Sequence, residues 1–101
     1  MRRPAAQGSA DANQSELARL YEELYCSVLD THELGGGMGD LLIGVAQITD
    51  IVEVKTEGGE LESSQVTFHR DWRGRKPLII RNREDVIAHV QRVRAEAAGK
   101  S

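Results

Sequence analysis

The chain has 101 residues, 40% of them hydrophobic and 29% charged, which suits one small soluble globular domain with a single core. One cysteine, Cys26, excludes an internal disulfide and a zinc site built from cysteines, and no apolar run approaches the roughly 20 residues of a membrane span. Together with the lack of an apolar leader, this leads us to expect a cytoplasmic, reducing setting. The net charge of −3 argues against a general nucleic-acid coat, but it hides an asymmetry. Residues 1–65 carry 4 basic and 12 acidic side chains, whereas residues 66–101 carry 9 basic and 4 acidic. Such a division can set a basic rim beside an acidic pocket, or can be charge spread over solvated helices.

In chain order, residues 1–12 are small and polar and are expected to form a flexible tail. Asn13 with Glu16 three residues on resembles a capping box, and Leu17, Leu20, Tyr21 and Leu24 recur at helical spacing. Cys26 to Leu29 reads as a first strand, with Cys26 as a small buried hydrophobe. A loop through Gly35-Gly36-Gly37 precedes a second strand, Asp40 to Gly44, and a third, Ile48 to Thr56. Ala46 and Gln47 between them suit a tight turn, which would make these strands antiparallel neighbours. After Gly58-Gly59, Ser63 or Ser64 is expected to cap a second helix running through Gln65, Phe68, His69 and Trp72. Phe68 and Trp72 read as core, and Gly74 ends the segment. Pro77 to Arg81 is a wholly apolar strand suited to a buried position, and Asn82 caps a last helix containing Val86, Ile87, Val90 and Val93 at helical spacing. The domain is expected over residues 13–95, with 96–101 frayed. There are no repeats, and the order α-β-β-β-α-β-α predicts an α/β fold around a central mixed sheet.

The residues that carry chemistry lie on the second and third strands. Glu53 and Lys55 flank Val54, so they share a face, and Asp40 can join them from the adjacent strand. Two carboxylates at one point are unfavourable unless a positive charge lies between them, and a hard divalent cation with oxygen ligands meets that need. The plain alternative is an exposed Glu53–Lys55 ion pair of little consequence, but Ile51, Val52 and Val54 make the strand largely apolar, so charges there need a reason. The Gly35-Gly36-Gly37 loop lacks the Gly-Lys-Ser/Thr of a phosphate-cradling P-loop and precedes a strand; a loop that lets DNA approach Asp40 fits better.

This arrangement resembles the PD-(D/E)XK nuclease superfamily. Asp40 followed by Glu53-x-Lys55 on the next strand resembles its active site, and Gly39-Asp40-Leu41-Leu42 resembles the start of its second strand, with Gly39 in place of the usual proline. Gln65 resembles the extra glutamine of several branches. Ile79-Ile80-Arg81-Asn82 with Glu84-Asp85-Val86 resembles the VRR-NUC signature, and Glu16 resembles a helix glutamate of that branch and of archaeal-type Holliday junction resolvases. The resemblance covers about residues 13–94. It implies a restriction-endonuclease-like αβββαβ core with a C-terminal helix. It also implies Mg2+-dependent hydrolysis of DNA phosphodiester bonds, with Mn2+ able to substitute, a homodimer, and a phage or mobile-element origin.

On this reading Asp40, Glu53 and the backbone carbonyl of Val54 hold the metal, and Lys55 holds the attacking water or the phosphate. Gln65 orients Lys55 or the water, and Glu16 assists through a water or a second ion, although helix capping alone would also explain Glu16. His69, Arg73, Arg75, Lys76 and Arg81 are candidate DNA contacts, against a plain reading of His69 as a partly buried histidine. So small a domain offers little surface for reading bases, which favours structure-selective cutting of flapped or branched DNA. The alternative is a nuclease-like fold retained as a DNA-binding or assembly module without catalysis. A third possibility, a small regulatory α/β protein with a chance motif, requires Asp40, Glu53 and Lys55 to lie apart and face solvent.

Overall fold

The helical spacing of Leu17, Leu20 and Tyr21 buries all three on one side of α1, Ala10–Glu23, in the computed structural model, which describes residues 10–99. Of the tail expected over residues 1–12, residues 1–9 lie outside the described residues and 10–12 form the first turn of α1. Asn13 is therefore inside the helix and does not cap it. Its amide donates instead to the backbone carbonyls of Lys55, at 3.1 Å, and Arg81, at 3.2 Å, tying α1 to the ends of two strands. The helix closes with Tyr25 at a φ of 69° and with Cys26 N–H donating to the Tyr21 carbonyl.

Four strands follow: β1 Ser27–Asp30, β2 Leu41–Val45, β3 Ile48–Val54 and β4 Leu78–Ile80. They form one sheet in the order β1-β2-β3-β4, with the first two pairings antiparallel and β3–β4 parallel. This is the mixed sheet expected from the element order. Ala46 and Gln47 make the two-residue turn between β2 and β3, both at positive φ (53° and 65°), with Val45 opposite Ile48. A turn of this hand matches the twist of the flanking strands.

Alternation along β3 sorts its side chains onto two faces. Val52 and Val54 join Leu17, Leu20, Tyr21, Leu41, Ile43, Ile80, Val86 and Val90 in the core beneath α1 and α3 (Arg83–Gly99). Each of the large aliphatic side chains fully buried there contributes about 1.5–3 kcal/mol relative to exposure. Ile51, Glu53 and Lys55 point to the other face, which is covered by α2, Ser63–Asp71, and by the loop leading to Asp40.

Several local expectations change. The cap of α2 is Glu62, not Ser63 or Ser64, and its N–H is taken by Gln65 Oε1 at 2.8 Å. β4 is an edge strand among the described residues, and Ile79, paired in register with Glu53, is exposed. Asn82 does cap α3, its Oδ1 accepting the Asp85 N–H at 2.8 Å. The helix does not fray at 96 but continues to Gly99; residues 100 and 101 lie outside the described residues. On α3, Ile87 is exposed, and the inward position falls to His89, 1% exposed. Phe68 and Trp72 stack on each other with centroids 5.1 Å apart, and Trp72 is 45% exposed, so the pair is a surface feature and not core.

Candidate active site

Asp40 sits one residue before β2, where its backbone N–H already pairs with the Val52 carbonyl at 2.9 Å. Its side chain reaches along β3, and Oδ2 accepts the Val54 N–H at 2.8 Å. Gly39, at a φ of 118°, makes this entry possible, because a Cβ there would lie 2.8 Å from Ile51 Cγ2. Glu53, 2% exposed, points to the same place from β3. Its Oε2 accepts from Gln65 Nε2 at 2.7 Å and faces Lys55 Nζ at 3.5 Å. Asp40, Glu53 and Lys55 thus converge and do not lie apart facing solvent.

The site is electrostatically unbalanced. Burial raises the pKa of Glu53, the Asp40 charge and a hydrogen bond with Asp40 raise it further, and Lys55 only partly opposes them; the result is about 7. Without added positive charge, Glu53 is therefore hard to ionise at neutral pH. Two hard oxygen donors in this condition fit a divalent cation that keeps most of its own waters. Among the described residues no third His, Cys, Asp or Glu gathers with them.

The carboxylates open into a cavity of about 200 Å³, lined by His32, residues 35–39, Asp40, Glu53, Glu62, Ser64 and Gln65. The glycine loop over it is pinned at its base, since Thr31 N–H donates to the Asp40 carbonyl at 2.8 Å and Thr31 Oγ1 to the Gly39 carbonyl at 3.0 Å. Gly37 packs against the start of α2, and a Cβ there would collide with the Ser64 carbonyl. The loop therefore forms a wall of the cavity, while Gly35 and Gly36 face open space.

The remaining expected residues are distributed differently. Gln65 serves the site, but through Glu53 and not through Lys55. Glu16 is exposed on α1 and lines no part of the cavity. Arg81 does not face outward; its guanidinium donates to the carbonyls of Thr56, at 2.7 Å, and Gly59, at 2.6 Å, and so braces the loop between β3 and α2. Arg75 is held by Asp50 at 2.6 Å and Glu96 at 2.9 Å. His69 is 8% exposed, with Nε2 unpartnered, and burial followed by the charges of Lys76 and Lys55 keeps it neutral. Arg73 and Lys76 are exposed, as a contact to a phosphate backbone would require. For Val54, the N–H is the group in contact with Asp40.

Asn13, Thr31, His32, Glu62 and Ser64 belong to the site region and were not singled out from sequence as site residues; Asn13 and Ser64 were read only as helix caps. His32 alone had a readable signal, an acid two residues before it at Asp30. The other four bond to or through backbone groups or only line the cavity, and leave no pattern that marks a site.

No family model matches the chain. It is 34% identical over 82 residues to an isoleucine–tRNA ligase of Synechococcus sp., an alignment that covers 74% of this chain and 9% of that protein. None of the helices is long and apolar enough to cross a membrane, among the described residues.

Proposed function

We propose that this chain is a metal-dependent endonuclease of the PD-(D/E)XK type that hydrolyses DNA phosphodiester bonds, with flapped or branched DNA as substrate. The observation that carries the reading is the meeting of Asp40 and Glu53 at one cavity, with Lys55 Nζ 3.5 Å from Glu53 behind it and Glu53 driven up to about 7 by burial and by Asp40. The element order α1-β1-β2-β3-α2-β4 around a mixed sheet supports it.

Asp40 and Glu53 would hold Mg2+, or Mn2+ in its place. A cation bound there lowers the pKa of its water and offsets charge developing on the phosphate. Lys55 presents a point charge toward the scissile phosphate or the attacking water. Gln65 fixes Glu53, and its second hydrogen bond, to the Glu62 N–H, fixes Gln65 in turn. Asn13 holds the Lys55 backbone in place. Exposed Arg73 and Lys76 would meet the DNA backbone. A single cavity cuts one strand, so a double-strand cut would require a two-fold homodimer.

Cleavage of labelled duplex, single-stranded, flapped and four-way-junction DNA, with an RNA arm, tests the proposal in Mg2+, Mn2+ and EDTA. Wild type should cut only with metal, and Asp40→Ala and Lys55→Ala should each lower the rate by about 100-fold or more. Folded wild type that binds DNA but cuts nothing with either metal would leave the non-catalytic binding module.

A further inference from the structure

His32 lies in the wall of the same cavity and has no part in the chemistry above. It follows Thr31, whose N–H bond to the Asp40 carbonyl extends the β1–β2 pairing, so its backbone is anchored beside the carboxylates. Asp30 Oδ1 accepts both the His32 backbone N–H, at 3.0 Å, and its ring Nδ1–H, at 2.6 Å. This fixes the ring and leaves Nε2 as the outward nitrogen. Its one nearby carboxylate is Glu33 Oε2, at 3.7 Å, on a side chain that is 88% exposed and can swing away. The other charged side chains lining the cavity are acids: Asp40, Glu53 and Glu62. Lys55 is not in the lining and is engaged with Glu53.

We propose that the Asp30-held imidazolium of His32 binds a non-bridging phosphate oxygen of the substrate strand through Nε2–H, at the mouth of the cavity. The inference rests on the nuclease reading and deepens it. Asp30, first by its hydrogen bond and then by its charge, raises the His32 pKa; Glu33 and Asp40 add smaller contributions. A cation at Asp40 would cancel the Asp40 share and leave the larger Asp30 share. Gln14 on α1 donates its side-chain Nε2–H to Asp30 Oδ2 at 3.4 Å and adds no charge.

The test follows the His32 ring nitrogens by NMR, with Ca2+ present, as a short flap oligonucleotide is added, and measures its affinity from pH 5.5 to 8.5. Cleavage in Mg2+ is measured on the same preparations. Wild type should bind more tightly as His32 gains its proton, and Nε2 should respond to the oligonucleotide. His32→Ala should bind about tenfold more weakly at pH 6 and lose that pH dependence. His32→Lys should restore tight binding and extend it to pH 8.5, and Asp30→Asn should move the midpoint downward. Normal cleavage with a silent His32 and an unchanged His32→Ala profile overturns this inference alone. A responding His32 without any cleavage overturns the nuclease reading alone. Silence in both overturns both.

Discussion

Asp50 and Glu53 are three residues apart on the same strand and equally buried, at 3% and 2% exposure, yet their ionisation shifts in opposite directions. Asp50 faces α3. Burial alone would raise its pKa, but hydrogen bonds from Arg75 and His89 outweigh that and hold it below the usual carboxylate range. The network closes completely: Tyr21 O–H donates to His89 Nδ1 at 2.7 Å, His89 Nε2–H to Asp50 at 2.8 Å, and Arg75 bridges Asp50 and Glu96. Burial keeps His89 neutral against the pull of Asp50, consistent with this single tautomer. Glu53 faces α2, where a neutral amide and one lysine cannot offset burial and a second carboxylate. The satisfied acid holds the fold together; the unsatisfied one is chemically available.

The contrast can be broken from either side. Asp50→Ala should show the largest stability effect, a loss of about 3–5 kcal/mol in urea unfolding, because it leaves His89 Nε2–H buried and unpaired and Arg75 with Glu96 alone. A loss below about 1 kcal/mol would show that the network is dispensable.

Glu53→Gln should act in the opposite direction without metal. A folded pKa raised to about 7 means that the group favours the fold below its unfolded value near 4.5, and that this contribution is lost as pH rises through about 7. At pH 8.5 the variant should therefore be more stable than wild type by about 1–3 kcal/mol, with the difference shrinking toward pH 5. Thermal unfolding across pH checks this. Added Mg2+ should raise the wild-type midpoint and leave that of Glu53→Gln nearly unchanged. Equal stabilities at pH 8.5 would mean that the strain on Glu53 is relieved in solution by other means.

Acid should separate the two faces in the other sense. The lowered pKa values of Asp50 and His89 contribute stability above their unfolded values, and that stability is lost as pH falls through the folded ones. Glu53→Gln, which lacks the opposing contribution, should therefore show the steeper decline below pH 6. The smallest effect is expected for Arg75→Lys, about 1 kcal/mol, since an ammonium replaces one fork serving two carboxylates but keeps the charge.

Much of the site was legible in sequence. The pair Glu53-x-Lys55 shares a face because strand side chains alternate, and the antiparallel β2–β3 turn that brings Asp40 alongside was readable at Ala46-Gln47. Gln65 was singled out, but not its partner, because a helix position does not say which strand residue lies beneath it. The basic residues were misjudged in part. Arg81 and Arg75 looked like free surface cations, but each is engaged within the molecule, by carbonyls 25 and 22 residues away and by an acid 25 residues away respectively. His89 escaped notice because a histidine among Val86, Val90 and Val93 does not announce a buried partner on another element.

Sequence alone determined the order of elements, the α/β class, the tight turn and the sharing of a face by Glu53 and Lys55, since these depend on local spacing and backbone preference. Only the tertiary structure decided which buried acid is neutralised and which is left unbalanced. The groups that settle it, Arg75 and His89 for Asp50 and Asp40 for Glu53, come from other elements, and electrostatics in a desolvated interior depends on distance in space and not along the chain.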